Sequence, residues 1–306
     1  MRKPRIVSLL PATTEIVCAL RLEKRLVGRS HECDYPGSIT NRPICSRARL
    51  DDRKPPETIH AEVARSIEQA LSIFSIDLET LQRCRPTHIL TQDLCSVCAV
   101  PMDVVNQALN ELNSRQVTVV SVHPGNLEQV MASIHAIGAA LEVPFRAEDL
   151  VARMQARFNA VYARSHELKT IPKVACLEWT DPLIAAGHWT PELVAMAGGY
   201  PLLGTVGKNA PTITMDDLAQ ADPDVLIIMP CGFSIQRACE EAAKLAKNPA
   251  WTNLKAVRTG RVYAVDGNTY FNRPGPRLAD SLEIMAEILH PEDFQFGFSK
   301  KAWQKL

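Results

Sequence analysis

The chain has 306 residues, of which 46% are hydrophobic and 22% are charged. This length is typical of about two domains of ordinary size, and the composition is that of a globular protein rather than a disordered, collagen-like or coiled-coil chain. Lysine and arginine together number 34, as do aspartate and glutamate, so the formal net charge is zero. Because proteins that bind nucleic acid through its phosphates normally carry a basic excess, the charge argues against a nucleic-acid partner.

The beginning of the sequence and its cysteines predict a compartment. The apolar stretch 6–10 contains a serine and ends at Pro11, so it is shorter than the roughly 7–15 apolar residues of a secretory signal. No run approaches the ~20 apolar residues of a membrane span, and we expect no membrane insertion. The nine cysteines are an odd number with irregular spacing, which favours a reducing compartment. We therefore expect a cytoplasmic chain as written, and a periplasmic one if a leader was removed.

The first part of the chain alternates short apolar runs with segments of helical periodicity. In chain order the predicted elements are strand 6–10, helix 13–22, strand 25–28, helices 57–76 and 78–85, strand 87–90, helix 101–112 and strand 117–122. The last of these strands is β-branched and continuous, as in a buried parallel strand. Strands separated by helices indicate an α/β fold with parallel sheets.

A long helical stretch follows at mid-chain. Segments 127–141 and 147–169 are separated by Pro144, and the second carries apolar residues at three- and four-residue spacing. The strand and helix pattern then starts again, and the remaining predicted elements are strand 173–177, helix 192–197, strand 225–229, helix 240–246, strand 261–265 and helix 277–289. The predicted domains are an N-terminal lobe 1–125, a helical linker 126–170 and a C-terminal lobe 171–306.

One local match between the two halves is sharper than the general pattern. Residues 78–90 align without a gap with residues 215–227, at an offset of 137 residues. Each copy has an acid at its second position, Glu79 or Asp216, then a leucine two residues later, a proline five residues after that, and an apolar strand. We therefore predict two related, Rossmann-like α/β lobes with parallel sheets, joined by a long linker helix.

Two such lobes should leave a cleft between them. Ligands of parallel sheets lie beyond the carboxyl ends of the strands, in the loops that lead to the next helix. The loops at those ends are 11–15, 30–37, 92–101, 178–191, 230–234 and 267–276. They hold much of the unusual chemistry of the sequence, so we expect the ligand there.

Several of these segments together carry a family resemblance. They are 5–15 (RIVSLLPATTE), 28–36 (GRSHECDYP), 91–100 (TQDLCSVCAV), 186–193 (AGHWTPEL) and 273–277 (RPGPR). In this order they resemble the cobalamin-binding proteins of ABC importers, and in particular a leaderless subgroup of that family. The resemblance implies the class III substrate-binding fold, with two lobes, a rigid connecting helix and a ligand clamped between the lobes.

The resemblance also implies roles for single residues. The loop after the second strand keeps Asp34 and Tyr35, while Glu32 stands where the family has an aromatic residue. Tyr270 matches an aromatic residue of the family's cleft, and Trp179 lies in the corresponding loop of the second lobe.

A second implied role concerns the permease. The family docks on its permease through one carboxylate in each lobe, and Glu79 and Asp216 occupy those positions.

Other candidates follow from side-chain chemistry, with alternatives left open. His31 and its acidic neighbours could contact a metal chelate or a free ion, or instead hold a tight turn. Cys95 and Cys98 could be inert, could contact the ligand, or could be redox-active. The predicted ligand-binding residues are His31, Glu32, Asp34, Tyr35, Asp93, Cys95, Trp179, His188, Trp189, Tyr270, Phe271 and Arg273.

The sequence as a whole favours a binding protein over an enzyme, because no nucleophile motif, dinucleotide fingerprint or zinc motif is present. We expect a monomer that holds a cobalamin-like corrinoid or a related metal chelate as ligand, with no intrinsic cofactor and with an ABC permease as partner. The alternative is a cytosolic metal-dependent enzyme, or a metal or tetrapyrrole chaperone, that uses the histidines, cysteines and carboxylates of the cleft.

Overall fold

A computed structural model describes residues 3–51, 53–68, 73–92, 100, 102–111 and 116–306. The chain divides into two compact units, which we call unit 1 and unit 2. Unit 1 comprises Met1–Pro124 and Glu128–Ala152, and unit 2 comprises Gly125–Leu127 and Arg153–Leu306.

Unit 1 is built around a parallel sheet. Its elements are β1 Ile6–Ser8, α1 Pro11–Ala19, β2 Leu26–Arg29, β3 Ser46–Ala48, α2 Pro56–Glu68, β4 Phe74–Ile76, α3 Leu78–Cys84, β5 His88–Gln92, α4 Met102–Glu111, β6 Thr118–Val122 and most of α5 Leu127–Ala140. The strands lie in the order β2-β1-β5-β6 with every pair parallel. β1 is apolar except for its last residue and fully buried, as expected of a strand covered on both faces.

One predicted helix of unit 1 is wrong at its C-terminal end. Periodicity predicted a helix over 57–76, but the described part of α2 extends to Glu68 and Phe74–Ile76 forms β4. β4 pairs antiparallel with β3, Phe74 lying opposite Ala48. This pairing depends on residues far away in the sequence, so a short window of periodicity cannot reveal it.

Unit 2 contains a second, larger sheet. Its elements are β7 Lys173–Thr180, β8 Leu183–Ala185, α7 Thr190–Met196, β9 Tyr200–Leu202, α8 Met215–Ala221, β10 Val225–Ile228, α9 Ile235–Leu245, α10 Lys255–Arg258, β11 Val262–Val265, α11 Leu278–Leu289 and β12 Trp303–Lys305. The strand order is β12-β11-β10-β7-β8, and β9 also pairs with β7. β8 and β12 are antiparallel additions at the two sides, while β9-β7-β10-β11 are parallel throughout.

Helix α6, Pro144–Ser165, belongs to both units. Its 22 residues give a length of about 33 Å, and the division between the units falls after Ala152. In unit 2 the Arg157 guanidinium donates to the carboxylates of Asp280 and Glu283 on α11, with N–O distances of 2.6–2.8 Å. Proline is well tolerated at the first turn of a helix, so Pro144 begins α6 after the break that follows α5.

The internal repeat is confirmed at the level of local structure. Helices α3 and α8 both have seven residues, and a side-chain oxygen accepts a backbone N–H at the start of each. Asp77 accepts from Thr80 at α3, and Thr214 accepts from Asp217 at α8. Both helices end in a left-handed residue, Arg85 with φ 43° and Asp222 with φ 42°. The parallel order β2-β1-β5-β6 corresponds to β9-β7-β10-β11. The predicted fold class, two α/β lobes with parallel sheets and a long helix, is therefore confirmed.

Among the helices of the described ranges, none combines the length and the hydropathy that a membrane crossing requires.

Candidate functional site

The predicted loop of unit 1 follows β2 and is anchored from inside by Arg29. The guanidinium of Arg29 is 8% exposed and donates to the carbonyls of Ser30, Cys33 and Thr40 at 2.8–3.0 Å. One buried cation thus fixes three points along the loop 30–40, because each carbonyl accepts a charge-assisted hydrogen bond.

His31 is half-buried at the start of this loop. Its Nδ1 lies 3.0 Å from Ser46 Oγ, and its ring contacts Phe74 with centroids 5.7 Å apart. Ser46 in turn donates to Ser30 Oγ at 3.1 Å. The imidazole is therefore oriented by hydroxyl groups of β3 and of its own loop.

The remaining predicted residues of this loop point their side chains toward solvent. Glu32, Asp34 and Tyr35 are exposed, Tyr35 by 48%. The Glu32 backbone N–H donates to Ser30 Oγ at 3.3 Å. This surface offers carboxylates and a phenol to a ligand, while the buried Cys33 between them faces inward.

A hydroxyl network beneath the loop was not predicted from the sequence. Ser8 Oγ lies 2.7 Å from Thr13 Oγ1, and Thr14 Oγ1 lies 2.8 Å from Ser8 Oγ and 2.9 Å from Cys33 Sγ. All four residues are buried. Polar residues at the end of a buried strand were the available signal, since a buried hydroxyl needs a partner.

Three residues singled out in the sequence lie outside the described residues. They are Asp93, Cys95 and Cys98. The strand that precedes them, β5, ends at Gln92, and the hydroxyl of Thr91 donates to the carbonyl of Val100 at 2.6 Å.

In unit 2, Trp179 lies near the carboxyl end of β7. Its Nε1 donates to the Asp181 carbonyl at 3.0 Å, and its ring lies 5.3 Å from that of Phe233. The Arg237 guanidinium lies over the Phe233 ring, 3.5 Å from its centroid, which is a favourable cation–π distance. The loop 230–234 was predicted from the sequence as a ligand loop, but Phe233 and Arg237 were not predicted as candidate residues.

His188 is held in an unusual backbone conformation. Its φ is +53°, and its backbone N–H and carbonyl bond to Lys208 and Gly207 at 2.8 and 3.0 Å. Gly187 allows this contact, because a Cβ there would lie 2.6 Å from the Lys208 carbonyl oxygen.

The imidazole of His188 stacks on Trp189. The ring centroids are 5.6 Å apart with an interplanar angle of 28°. Burial lowers the pKa of His188, because a buried site disfavours the charged form. Its Nδ1 is buried and has no hydrogen-bond partner among the residues that the structure describes.

Trp189 and Phe271 are buried and linked by a hydrogen bond. Trp189 is 7% exposed and Phe271 is 1% exposed, and Trp189 Nε1 donates to the Phe271 carbonyl at 2.8 Å. In this structure they support the surface on which His188 lies.

Tyr270 and Arg273 belong to the turn that follows β11. The Tyr270 ring packs edge-on against Phe298 and under the Arg277 guanidinium, at 5.9 and 5.7 Å. Arg273 is buried and donates to Asn268 Oδ1 at 3.1 Å. Within this turn the guanidinium of Arg273 is thus directed by a side-chain amide.

Hydrogen bonds join the loops at the carboxyl ends of β7, β10 and β11. The Asn268 N–H donates to the Phe233 carbonyl at 3.2 Å, and the Cys231 N–H donates to the Glu178 carbonyl at 3.0 Å. The Asn272 side chain reaches the Pro230 carbonyl at 3.4 Å. These loops therefore form one connected surface at the edge of the sheet in unit 2.

The two carboxylates of the repeat are exposed at the second residue of their helices. Glu79 pairs with Arg83 of the same helix at 3.2 Å. Asp216 is exposed and has no ion pair within the described part of the chain. No group of three or more histidine, cysteine or acidic side chains suited to a metal ion occurs among the described residues.

Comparisons with known proteins identify relatives of the whole chain. The sequence profile of the periplasmic binding protein family matches residues 6–269. YvrC, an ABC transporter substrate-binding lipoprotein of Bacillus subtilis (strain 168), is 23% identical over 296 residues, which are 95% of this chain and 81% of YvrC.

Solved structures show the same fold. The periplasmic heme-binding protein RhuT from Roseiflexus sp. RS-1, in its apo form, has a TM-score of 0.70 at 22% identity, over 95% of this chain and 99% of RhuT. The periplasmic vitamin B12 binding protein BtuF of Vibrio cholerae has a TM-score of 0.65 at 19% identity, over 94% and 96% of the two chains. Since the family profile spans most of the chain, this protein belongs to the periplasmic binding protein family, as a two-lobed class III substrate-binding protein of the ABC-importer type and not an enzyme.

Proposed function

We propose that the protein binds a cobalamin-like corrinoid or a related metal chelate such as haem. The observation that carries the proposal is the neutral imidazole of His188, stacked on Trp189 with an unpartnered Nδ1. The names of RhuT and BtuF support the ligand class, because they bind haem and vitamin B12 respectively.

The chemistry of unit 2 suits such a ligand. A neutral imidazole is a good ligand for cobalt or iron, and burial lowers the pKa of His188, which favours the neutral form. The half-buried indole of Trp179 offers a flat apolar face to a macrocycle. Arg237 and Tyr270, both partly exposed, supply a cationic and polar margin for carboxylate or amide substituents. Arg273, which is buried in this structure, stays a predicted contact on the basis of the sequence.

We extend the proposal to unit 1. The loop 30–40, held by Arg29, would contact a ligand through His31, Glu32, Asp34 and Tyr35. Asp93 and Cys95 stay predicted contacts on the basis of the sequence.

Titration with hydroxocobalamin and with hemin tests the ligand class. We expect one of the two to shift its visible absorption bands on binding and to raise the melting temperature, because a ligand that binds the native state stabilises it. His188→Ala should remove the band shift and weaken binding at least tenfold. His135→Ala, which changes an exposed histidine on α5, is the matched control and should bind normally.

Trp179→Ala tests the stacking contact separately from coordination. We expect weaker binding with the band shift preserved at saturation, because the metal would still be coordinated by the imidazole. Absence of any spectral or thermal effect with both compounds would refute the proposed ligand class, whereas a band shift that survives in His188→Ala would refute only the role of that residue.

We also propose that Glu79 and Asp216 dock the protein on an ABC permease. They occupy equivalent positions of the repeat, at the second residue of two exposed seven-residue helices. Basic pockets on a permease can bind such paired carboxylates through complementary charge.

Charge reversal tests the docking surface. With a reconstituted ABC permease of the native host, Glu79→Lys with Asp216→Lys should abolish stimulation of ATP hydrolysis while ligand binding is unchanged. Glu148→Lys with Glu292→Lys reverses two other exposed carboxylates, one in each unit, and should leave stimulation intact. Equal loss in both double variants would contradict a specific docking role.

We propose that the protein works outside the cytoplasm, where YvrC is expected to act as a substrate-binding lipoprotein. Fractionation of the native host with an antibody tests this location, and gel filtration with light scattering tests the expected monomer. Ligand-loaded protein found only in the cytoplasm would favour the chaperone alternative.

A further inference from the structure

Two thiols of unit 1 lie next to each other in a place that the proposed function does not use. Cys45 Sγ and Cys84 Sγ are 3.9 Å apart, although the residues are 39 positions apart in the sequence. Cys45 is 0% exposed and Cys84 is 4% exposed. Both thiols also lie against Gly28 of β2, where an added Cβ would come within 2.6 Å of Cys45 Sγ and 3.1 Å of Cys84 Sγ.

The backbones that carry these thiols are fixed on both sides. The Cys45 N–H donates to the Arg29 carbonyl at 2.8 Å, and the Cys45 carbonyl accepts from the Asp77 N–H at 2.9 Å. Cys84 is the last residue of α3, and the Arg5 guanidinium donates to its carbonyl at 2.6 and 3.1 Å. The two sulfur atoms are therefore held in contact by the fold.

We infer that Cys45 and Cys84 are a built-in site for an intramolecular disulfide that a small peroxide forms. The Cys84 thiolate attacks one oxygen of hydrogen peroxide, the O–O bond breaks, and hydroxide leaves, which gives a sulfenic acid. The sulfur of Cys45 then attacks the sulfur of Cys84, the S–O bond breaks, and the oxygen leaves as water with the proton of Cys45. Two thiols and one peroxide thus become one disulfide and two waters.

The charges around the pair assign the two roles. The hydrogen bond from the thiol of Cys45 lowers the pKa of Cys84, and the guanidinium groups of Arg5 and Arg83 lower it further. The pKa of Cys45 is raised by the same hydrogen bond, by burial and by Asp77. Cys84 is therefore the nucleophile and Cys45 the thiol that resolves the intermediate, because the thiolate is the reactive form.

The bond would join the edge of β3 to the end of α3. It would close the chain between residues 45 and 84, a segment that includes the proposed docking residue Glu79. Closing a loop of this length restricts the unfolded chain, so we expect the oxidised protein to melt about 5–10 °C higher.

The experiment uses the full chain, fully reduced and then treated with hydrogen peroxide. After the peroxide is removed, free thiols are alkylated and the peptides are mapped by mass spectrometry. We expect a cross-linked peptide pair that contains Cys45 and Cys84, two hydrogens lighter than the reduced pair, together with a raised melting temperature that dithiothreitol reverses.

Single variants and a matched control complete the test. Cys84→Ser should remove the cross-link and the thermal shift, whereas Cys176→Ser, which removes a buried thiol of unit 2, should leave both unchanged. If Cys45 and Cys84 both remain open to alkylation after treatment and unfolding, or if Cys84 is oxidised to a sulfinic acid without the cross-link, the inference is wrong. The result does not depend on which ligand the protein binds.

Discussion

The sheets of unit 1 and unit 2 share their parallel centre and differ at the edge where their strands end. The order β2-β1-β5-β6 is repeated as β9-β7-β10-β11, and α3 and α8 start and end in the same way. At the carboxyl edge, unit 1 places hydroxyl groups and an arginine beneath an exposed loop. Unit 2 places stacked aromatic rings and a neutral imidazole there.

The repeated strands and helices therefore form the scaffold, whereas the loops at the carboxyl edges carry the candidate site. The repeated elements bury apolar residues and satisfy their own backbone, so they need few special side chains. The edges differ because one is held by buried hydrogen bonds and the other by aromatic packing. Substitutions at the two edges should therefore destabilise the protein for different physical reasons.

The largest effect is expected at the aromatic edge of unit 2. Trp189→Ala should lower the free energy of unfolding by about 3–5 kcal/mol, because it empties the site of a large buried ring. Trp189→Phe should cost only about 1–2 kcal/mol, since it keeps a ring and loses the hydrogen bond to the Phe271 carbonyl. Urea unfolding followed by circular dichroism measures both values. Trp179→Ala is the comparison, and an equal loss there would contradict a supporting role specific to Trp189.

A somewhat smaller effect is expected at the polar edge of unit 1. Arg29→Met keeps the aliphatic bulk but leaves the carbonyls of Ser30, Cys33 and Thr40 without their donor. We expect a loss of about 2–4 kcal/mol in the free energy of unfolding and faster proteolysis within the loop 30–40.

Arg65→Met is the matched control for this variant. Arg65 is exposed on α2 in the same unit, so its replacement should change stability by less than about 0.5 kcal/mol. Should both variants behave alike, Arg29 would not be the anchor of the loop.

Much of this fold could be predicted from the sequence, because its parallel strands are buried and apolar. The match of 78–90 with 215–227 predicted a repeat, and the structure places α3 and α8, the second of which was not predicted as a helix, at the same offset. The strands that were not predicted form through non-local pairing. β4 depends on pairing with β3, and β8, β9 and β12 depend on β7 or β11. Pairing of such short strands leaves no periodicity to detect.

The candidate site could be predicted only in outline. The rule that ligand loops follow parallel strands located the loops of Trp179 and His188. It could not reveal that Phe233 packs beside Trp179 with Arg237 over its ring, or that Ser8 and Thr14 form a buried network. Those contacts depend on side-chain directions that only the packed chain fixes.

The pH dependence of stability should be stronger in unit 2 than in unit 1. Among the described histidines, burial lowers the pKa of His188 and His290 in unit 2 and of His88 in unit 1. The unfolded chain, with pKa values of about 6.5, binds these protons more readily than the folded chain does. The stabilisation from these neutral histidines is therefore complete above about pH 6.5, and it is lost as the pH falls through their lowered pKa values in the folded chain.

Urea unfolding between pH 8 and pH 5 measures this effect. Each histidine can contribute at most about 1.4 kcal/mol per pH unit. His188→Gln should flatten the curve over this range, whereas His135→Gln, at an exposed position, should leave its slope unchanged. A curve that rises as the pH falls would contradict burial as the cause.

The smallest expected effect on the free energy of unfolding distinguishes the C-terminal ends of α3 and α8, the helices of the two repeat copies. Arg85 and Asp222 end their helices with positive φ, a conformation that costs a non-glycine residue about 1–2 kcal/mol. Arg85→Gly should gain about 0.5 kcal/mol, since glycine removes the strain but adds freedom to the unfolded chain. Asp222→Gly should gain nothing, because the Asp222 carboxylate accepts the Lys255 N–H at 3.3 Å and this bond is lost. Urea unfolding of the two variants measures the difference, and equal gains would mean that the bond to Lys255 contributes nothing and that the two helix ends are energetically the same.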